Sequence, residues 1–321
     1  MSRQASRFPV ESVNLAGMTS KCLGFFWLLA TAFSPALMHA QTPTPTPSPA
    51  ATPPTSDIYL TFLTRDFKLG APAKFTTHVG YNNQPSFLSD DHSILYTSIR
   101  NGQADIYQYD PAFGGTTQIT NTPESEYSPT LMPDGKNISV VRVEADGTQR
   151  LWKFPLTGGG APSLILENIK PVGYHWWLDK NTLALFILGG TGKPATLQIA
   201  DVRTGKAEVV SENPGRILRL VPHQNKLSFV HKVSDQEWLI KTFDLKTKQT
   251  STLIKTLPGS EDYAWTPNGA LLTAKDAKIF KWNPLSDKDW VEIGDFSKAG
   301  LKTLTRIAVS PKGDRIAFVA R

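Results

Sequence analysis

The chain has 321 residues, enough for one large domain or two small ones, with an ordinary globular balance of 40% hydrophobic and 19% charged residues. Its formal charge of +6 comes from scattered basic residues that alternate with acids, without a Lys/Arg run or a basic–aromatic stripe, and this argues against a nucleic-acid partner. The only cysteine, Cys22, rules out an internal disulfide framework and a zinc–thiolate cluster.

From the N-terminus, Arg3, Arg7 and Lys21 precede the apolar run CLGFFWLLATAF at 22–33, and the small-residue segment SPALMHA at 34–40 follows. This is the order of a secretory signal peptide, with cleavage expected after Ala40. The run falls short of the ~20 apolar residues that a membrane span needs, and Pro35 interrupts it. No stable span is therefore expected after cleavage; an uncleaved N-terminal anchor is the alternative. Thr19-Ser20-Lys21 before Cys22 is not a lipid-attachment sequence. Residues 1–40 carry Arg3, Arg7 and Lys21 against Glu11, so the mature chain would keep +4 of the +6 and be periplasmic or secreted. Residues 41–56 read as a linker: QTPTPTPSPAATPPT at 41–55 holds six prolines and no charge, and favours semi-rigid extended backbone. The folded part is expected over 57–321.

There, one phrase recurs six times: apolar residues, a turn, then apolar alternation. Its turn positions are Ser89, Pro133, Leu178, Pro222, Pro267 and Pro311, spaced 44, 45, 44, 45 and 44 residues apart. Each copy has the logic of two short strands around a tight turn, and Gly135, Gly269 and Gly313 can supply positive φ there. A third strand follows each hairpin at 106–110, 151–155, 197–201, 240–244 and 279–283. A fourth is expected near 118–119, 163–166, 207–210, 252–254 and 290–293. Four strands per period of about 44 residues is the arithmetic of a β-propeller, one blade per repeat. The sixth copy ends after two strands at Arg321, and the chain opens mid-phrase with SDIYLTFL at 56–63. The expectation is an all-β, six-bladed propeller whose last blade is completed by N-terminal strands at 57–63 and near 74–76. An open β-solenoid or two smaller β domains is the alternative, and would leave sheet edges bare.

The phrases TNTPESEYSP at 120–129 and MPDGKNI at 132–138, with Asp105-Ile106-Tyr107, resemble the repeats of TolB-type, WD-like six-bladed propellers. The resemblance covers roughly 57–321, with the third and fourth copies degenerate. It implies a propeller of the cell envelope that binds protein partners. Where TolB proteins carry an α/β domain ahead of the propeller, this sequence has the proline-rich linker, which puts membership of a Tol–Pal complex in question. Other members of the wider group are peptidases with an added hydrolase domain.

Motifs for chemistry are sparse. No Gly-x-Ser-x-Gly elbow occurs, and His78, His92, His175, His223 and His231 show no metal-ligand spacing. The stretch GGTGKP at 189–194 has neither the first glycine nor the Ser/Thr of a phosphate loop and reads as a hairpin turn. No cofactor and no catalytic residue is expected. Glu261 and Asp262, adjacent on a strand, should point to opposite faces and so make a poor acid–base pair. The loops entering the innermost strands should ring one mouth of the channel. They bring Asn83, Gln84, Glu126, Tyr127, Arg216, Glu261, Asp262 and Arg306 as candidate partner-binding residues. The expected function is an exported, non-enzymatic propeller that binds a protein or peptide of the cell envelope at that mouth. The alternative is a lyase or hydrolase acting on a sugar or lactone within the channel.

Overall fold

The computed structural model describes residues 53–321; the expected signal peptide and the linker up to residue 52 lie outside them. Twenty-four strands, β1–β24 in chain order, form six four-stranded antiparallel sheets. Blades 1 to 5 are consecutive: β3–β6 (82–118), β7–β10 (125–164), β11–β14 (172–212), β15–β18 (214–255) and β19–β22 (263–295). Blade 6 combines β23 (Leu304–Val309) and β24 (Arg315–Ala320) with β1 (Asp57–Phe62) and β2 (Ala73–Lys74), in the order β2-β1-β24-β23. The expected architecture therefore holds, including the composite last blade.

The physical basis is visible in the burial patterns. The second strand of each blade is buried on both faces, as in ILYTSIR of β4 (Ile94–Arg100), NISVVRV of β8 (Asn137–Val143) and RIAFVA of β24. Such strands lie inside a stack of sheets, so they read as continuous apolar runs rich in Val, Ile and aromatics. The outermost strands are the reverse: β6 (Gly115–Gln118) is exposed throughout. The core is divided into six clusters, one between each pair of neighbouring blades. For example, Leu88, Leu95 and Ile106 of blade 1 pack on Ile138, Val140 and Phe154 of blade 2.

The hairpin turns behave as their sequences require. Gly135, Gly269 and Gly313 have φ of 66°, 87° and 78°, a region that costs a side-chain-bearing residue strain. GGTGKP joins β12 (Thr182–Ile187) to β13 (Thr196–Asp201), with Gly190 bridged to Lys193, and is the expected hairpin turn.

Closure of the ring is a matter of register. β1 pairs with β24 from Asp57↔Ala320 to Phe62↔Arg315, with Ile58 opposite Val319. Asp91, nearly fully buried in the first hairpin turn of blade 1, fastens the same joint from the other side. Its Oδ1 accepts the Lys312 N–H (2.6 Å) and its carbonyl accepts Arg315 Nη1 (2.9 Å). Among the described residues no helix is long and apolar enough to cross a membrane.

Candidate functional site at the channel mouth

The innermost strands β3 (Asn82–Phe87), β7 (Ser125–Leu131), β11 (Val172–Trp177), β15 (Pro214–Leu220), β19 (Tyr263–Trp265) and β23 neighbour one another around the channel. Counted back from the six turn positions, equivalent residues form rings. Three residues before the turn stand Ser86, Thr130, His175, Arg219, Ala264 and Ala308. The first four line a cavity on the channel axis, and the last two line a wider opening on the turn side. Arg216 and Arg306 line the smaller cavity from the opposite end, the mouth.

Five of the six inner strands carry a β-bulge in their pairing with the second strand. Gln84, Ser128 and Arg306 sit at bulges with φ of 58°, 54° and 54°. Left-handed backbone at a residue with a side chain costs of order 1–3 kcal/mol and persists where surrounding contacts hold it. Here the turned N–H groups reach neighbouring blades. Ser128 N–H donates to Gln84 Oε1 (2.8 Å), and Arg306 N–H donates to Asp262 Oδ2 (2.9 Å). The partners are 44 residues apart, one repeat period.

Of the sequence candidates, Arg216, Glu261, Asp262 and Arg306 are brought together. Arg216 forks into Asp262, with Nε to Oδ1 at 2.8 Å and Nη2 to Oδ2 at 2.6 Å, and its Nη1 donates to Glu261 Oε1 at 2.8 Å. Lys232 reaches the other Glu261 oxygen at 3.0 Å. The expectation that Glu261 and Asp262 diverge is thus overturned. Both precede β19, outside the regular pleat, and both carboxylates converge on one guanidinium. Gly215 makes room for this, since a Cβ there would stand 3.0 Å from Glu261 Oε2 and 2.8 Å from Val230 Cβ. Asp262 is 4% exposed. Burial alone would raise its carboxyl, but the guanidiniums of Arg216 and Arg306 outweigh it and hold the group below the usual carboxylate range. The four residues link blades 4, 5 and 6.

Gln84 lines the cavity and also accepts Thr97 Oγ1 at 2.8 Å; Tyr127 is half-buried on β7. Asn83 and Glu126 lie inside their blades, 4% and 0% exposed, so their side chains offer no surface to a partner at the mouth. Glu126 belongs to a buried polar cluster with Thr122 and Arg142, close to Asp105. Burial, aided by the Asp105 charge, raises its carboxyl to about 7 against hydrogen bonds from Thr122 and Thr120 and the charge of Arg142. Between the ordinary carboxyl range and pH 7 the folded chain keeps a proton that the unfolded chain has released. Folding stability contributed by this group therefore falls as pH rises through that window and is level above it. At about 1.4 kcal/mol per tenfold change in proton affinity, the loss is on the order of 3 kcal/mol. Glu126→Gln, which stays neutral, should remove this slope. Urea unfolding of both proteins at pH 5 and pH 8 checks it, and equal pH dependence would refute the assignment.

Residues that sequence reasoning passed over complete the mouth. Arg306 Nη2 donates to Tyr174 Oη at 2.9 Å, with the guanidinium 5.1 Å from that ring. Tyr81 is close enough to Arg306 and Arg216 to feel their charges, while burial pushes its phenol up. Deeper in, Arg219 lies 4.1 Å over Trp176 and donates to the Leu218 carbonyl at 2.8 Å.

His175 and Ser139 stand 2.7 Å apart, Nε2 to Oγ, and invite comparison with a catalytic dyad. Their surroundings argue otherwise. Ser139 is fully buried and also accepts Trp177 Nε1–H at 2.9 Å. The same arrangement recurs two blades on, where Ser228 accepts Tyr263 Oη–H (2.9 Å) and Trp265 Nε1–H (2.8 Å). The serine on a second strand is a clasp for the aromatic residues of the next blade. Burial, with Arg219 adding to it, lowers His175 to about 3, so the ring is neutral at physiological pH. Among the described residues no group of three or more His, Cys, Asp or Glu is gathered as a metal would require.

With this geometry in view, the comparisons with known proteins are specific about architecture. No protein-family model matches the chain. The Tol-Pal system protein TolB of Francisella tularensis subsp. tularensis (strain WY96-3418) is 39% identical over 56 residues, which is 17% of this chain and only 13% of that protein. A TolB-type structure from Agrobacterium tumefaciens superposes with a TM-score of 0.65 at 14% identity, covering 83% of this chain and 98% of that one. The fold is the TolB-type six-bladed propeller. An oligogalacturonate lyase from Vibrio parahaemolyticus shares the architecture too, with a TM-score of 0.52 at 14% identity, over 84% of this chain and 98% of the lyase. The TolB-type scaffold thus carries both kinds of neighbour, and the chemistry of this channel rests on its own lining residues.

Proposed function

We propose that this chain is an exported, non-enzymatic propeller that binds a protein or peptide of the cell envelope at the channel mouth. One observation carries the reading: at the mouth Arg306 donates to the Tyr174 hydroxyl and lies against its ring, within electrostatic reach of Tyr81, beside a network of Arg216, Glu261 and Asp262 that holds the surrounding strands. Tyrosine and arginine are the residue types that dominate binding energy at protein interfaces. They present wide contact area and fixed donors for little conformational entropy. Fold likeness to TolB-type structures and the signal-peptide-like N-terminus support an envelope setting.

Affinity capture from an envelope extract tests this, with the wild-type chain and a Tyr81→Ala/Tyr127→Ala variant as baits. Truncating an interface hot spot costs about 2 kcal/mol or more, so the captured partner should be held at least about tenfold more weakly by the variant. A partner bound equally by both baits would take the mouth out of the account.

A further inference from the structure

Within the channel, positive charge exceeds negative. Arg216, Arg219 and Arg306 line the cavity, and the two acids beside it, Glu261 and Asp262, are already committed to Arg216, to Lys232 and to the Arg306 N–H. Among the described residues neither the Arg219 nor the Arg306 guanidinium has a carboxylate oxygen within 4.0 Å, although the Arg306 backbone N–H donates to Asp262. Arg306 has the Tyr174 hydroxyl, and Arg219 has a backbone carbonyl and the Trp176 face. Both guanidiniums line the same cavity, and each is near enough to influence the other. Enclosed cations without counter-charge are costly to a fold, and guanidinium forks match oxyanions. The contrast with Arg216, clasped by two carboxylates in the same channel, shows what a satisfied arginine looks like here.

A second, independent feature points to a ligand. His175 is 95% buried and lines this cavity, with Nε2 tied to Ser139 and Nδ1 without a partner among the described residues. Buried polar atoms in native structures are ordinarily satisfied, and one left over at a cavity wall marks a place for a polar guest. Ser86 and Thr130 add hydroxyl-bearing side chains to the same ring.

We infer that the channel behind the mouth is an oxyanion site, in which Arg219 and Arg306 together hold a carboxylate or phosphate group. The inference deepens the binding reading above and rests on it in one respect: the segment of the partner that enters the channel supplies the oxyanion. The ring position of Arg219 supports this specialisation, because the equivalent residues of the other blades are Ser86, Thr130, His175, Ala264 and Ala308. Only one blade places a cation there.

The test uses the purified full-length chain, titrated with sodium succinate or inorganic phosphate at an ionic strength held constant with chloride. Tryptophan fluorescence is the readout, since Trp176 lies under Arg219. Saturable binding of one or both anions is expected, and the preferred one identifies the group as carboxylate or phosphate. Arg219→Gln and Arg306→Gln should each weaken it at least tenfold. Arg203→Gln, which removes an exposed arginine paired with Asp201 on a hairpin, should leave it unchanged. If Arg219→Gln does not fold, Arg306→Gln alone decides, because its side chain is not clasped by a buried acid. Failure of both anions to saturate, wild-type affinity in Arg306→Gln, or an equal loss in Arg203→Gln would overturn the proposal. The two readings fail separately. Anion binding without any captured partner would leave this site standing and remove the mouth reading. A partner whose capture is weakened by Tyr81→Ala/Tyr127→Ala but ignores Arg219→Gln, with no anion bound, would do the reverse.

Discussion

Ile58→Asp should abolish the cooperative unfolding transition of this propeller. Ile58 is fully buried on β1, opposite Val319 of β24, and packs with Phe75, Ile94, Tyr96 and Tyr107 across the joint between blades 6 and 1. Its N–H is held by Thr76 Oγ1 at 3.1 Å. Truncation to alanine at such a site costs about 2–5 kcal/mol, from lost burial and the cavity left behind. Aspartate adds the penalty of an unpaired buried carboxylate, and the sum rivals the 5–15 kcal/mol by which typical domains are stable. Opening this joint would also bare the edges of β24 and β1, and unpaired edges invite aggregation. Phe62→Asp is the control. It lies at the end of the same strand, 62% exposed, and should change stability by about 0.5 kcal/mol or less. Urea unfolding followed by tryptophan fluorescence distinguishes them. A wild-type midpoint for Ile58→Asp would mean that β1 does not close the ring.

Asp262→Ala should be the most damaging change at the mouth, costing about 3–5 kcal/mol. It strips Arg216 of its bidentate partner and leaves the Arg306 N–H, turned inward by positive φ, without its acceptor. The pH dependence follows from the depressed carboxyl. The stabilisation is present above the ordinary carboxylate range and is lost as pH falls through the lower folded-state value, so the difference between wild type and Asp262→Ala should shrink toward low pH. Arg216→Gln should cost a similar amount, and the double variant less than the sum, because the two changes remove one interaction. Strict additivity in a denaturation double-mutant cycle would show that the pair is not coupled. Arg216, Glu261 and Asp262 are therefore poor choices for a pure binding test, since neutralising them weakens three blades at once. The half-buried tyrosines and Arg306 are better probes.

These particulars show where the sequence was legible. The 44-residue spacing of turns, with glycines at Gly135, Gly269 and Gly313, sets blade number, and the truncated sixth phrase sets the closure. Both are consequences of short-range patterns that period and turn chemistry express directly. The sequence places the candidate residues on the segments that enter the inner strands, but with the wrong phase for some side chains. β-Bulges at Gln84 and Ser128 break the simple alternation, so Asn83 and Glu126 turn inward, while Glu261 and Asp262 converge because they precede β19 and lie outside its pleat. No local pattern announces a bulge at a residue other than glycine. Arg219 and His175 were the opposite case. Their signal was present in the repeat alignment, as large polar residues at a ring position otherwise filled by Ser, Thr and Ala, and it becomes readable once that ring is known to line the channel.

The most direct measurement of the central claim is site-specific photo-crosslinking in the envelope. A photoreactive phenylalanine analogue would replace Tyr127 at the mouth in one variant, and exposed His223 on the turn side in another. The account predicts a discrete crosslinked partner from position 127 and none from position 223. A partner crosslinked from position 223 and never from position 127 would contradict it, and would move the binding surface to the opposite end of the channel.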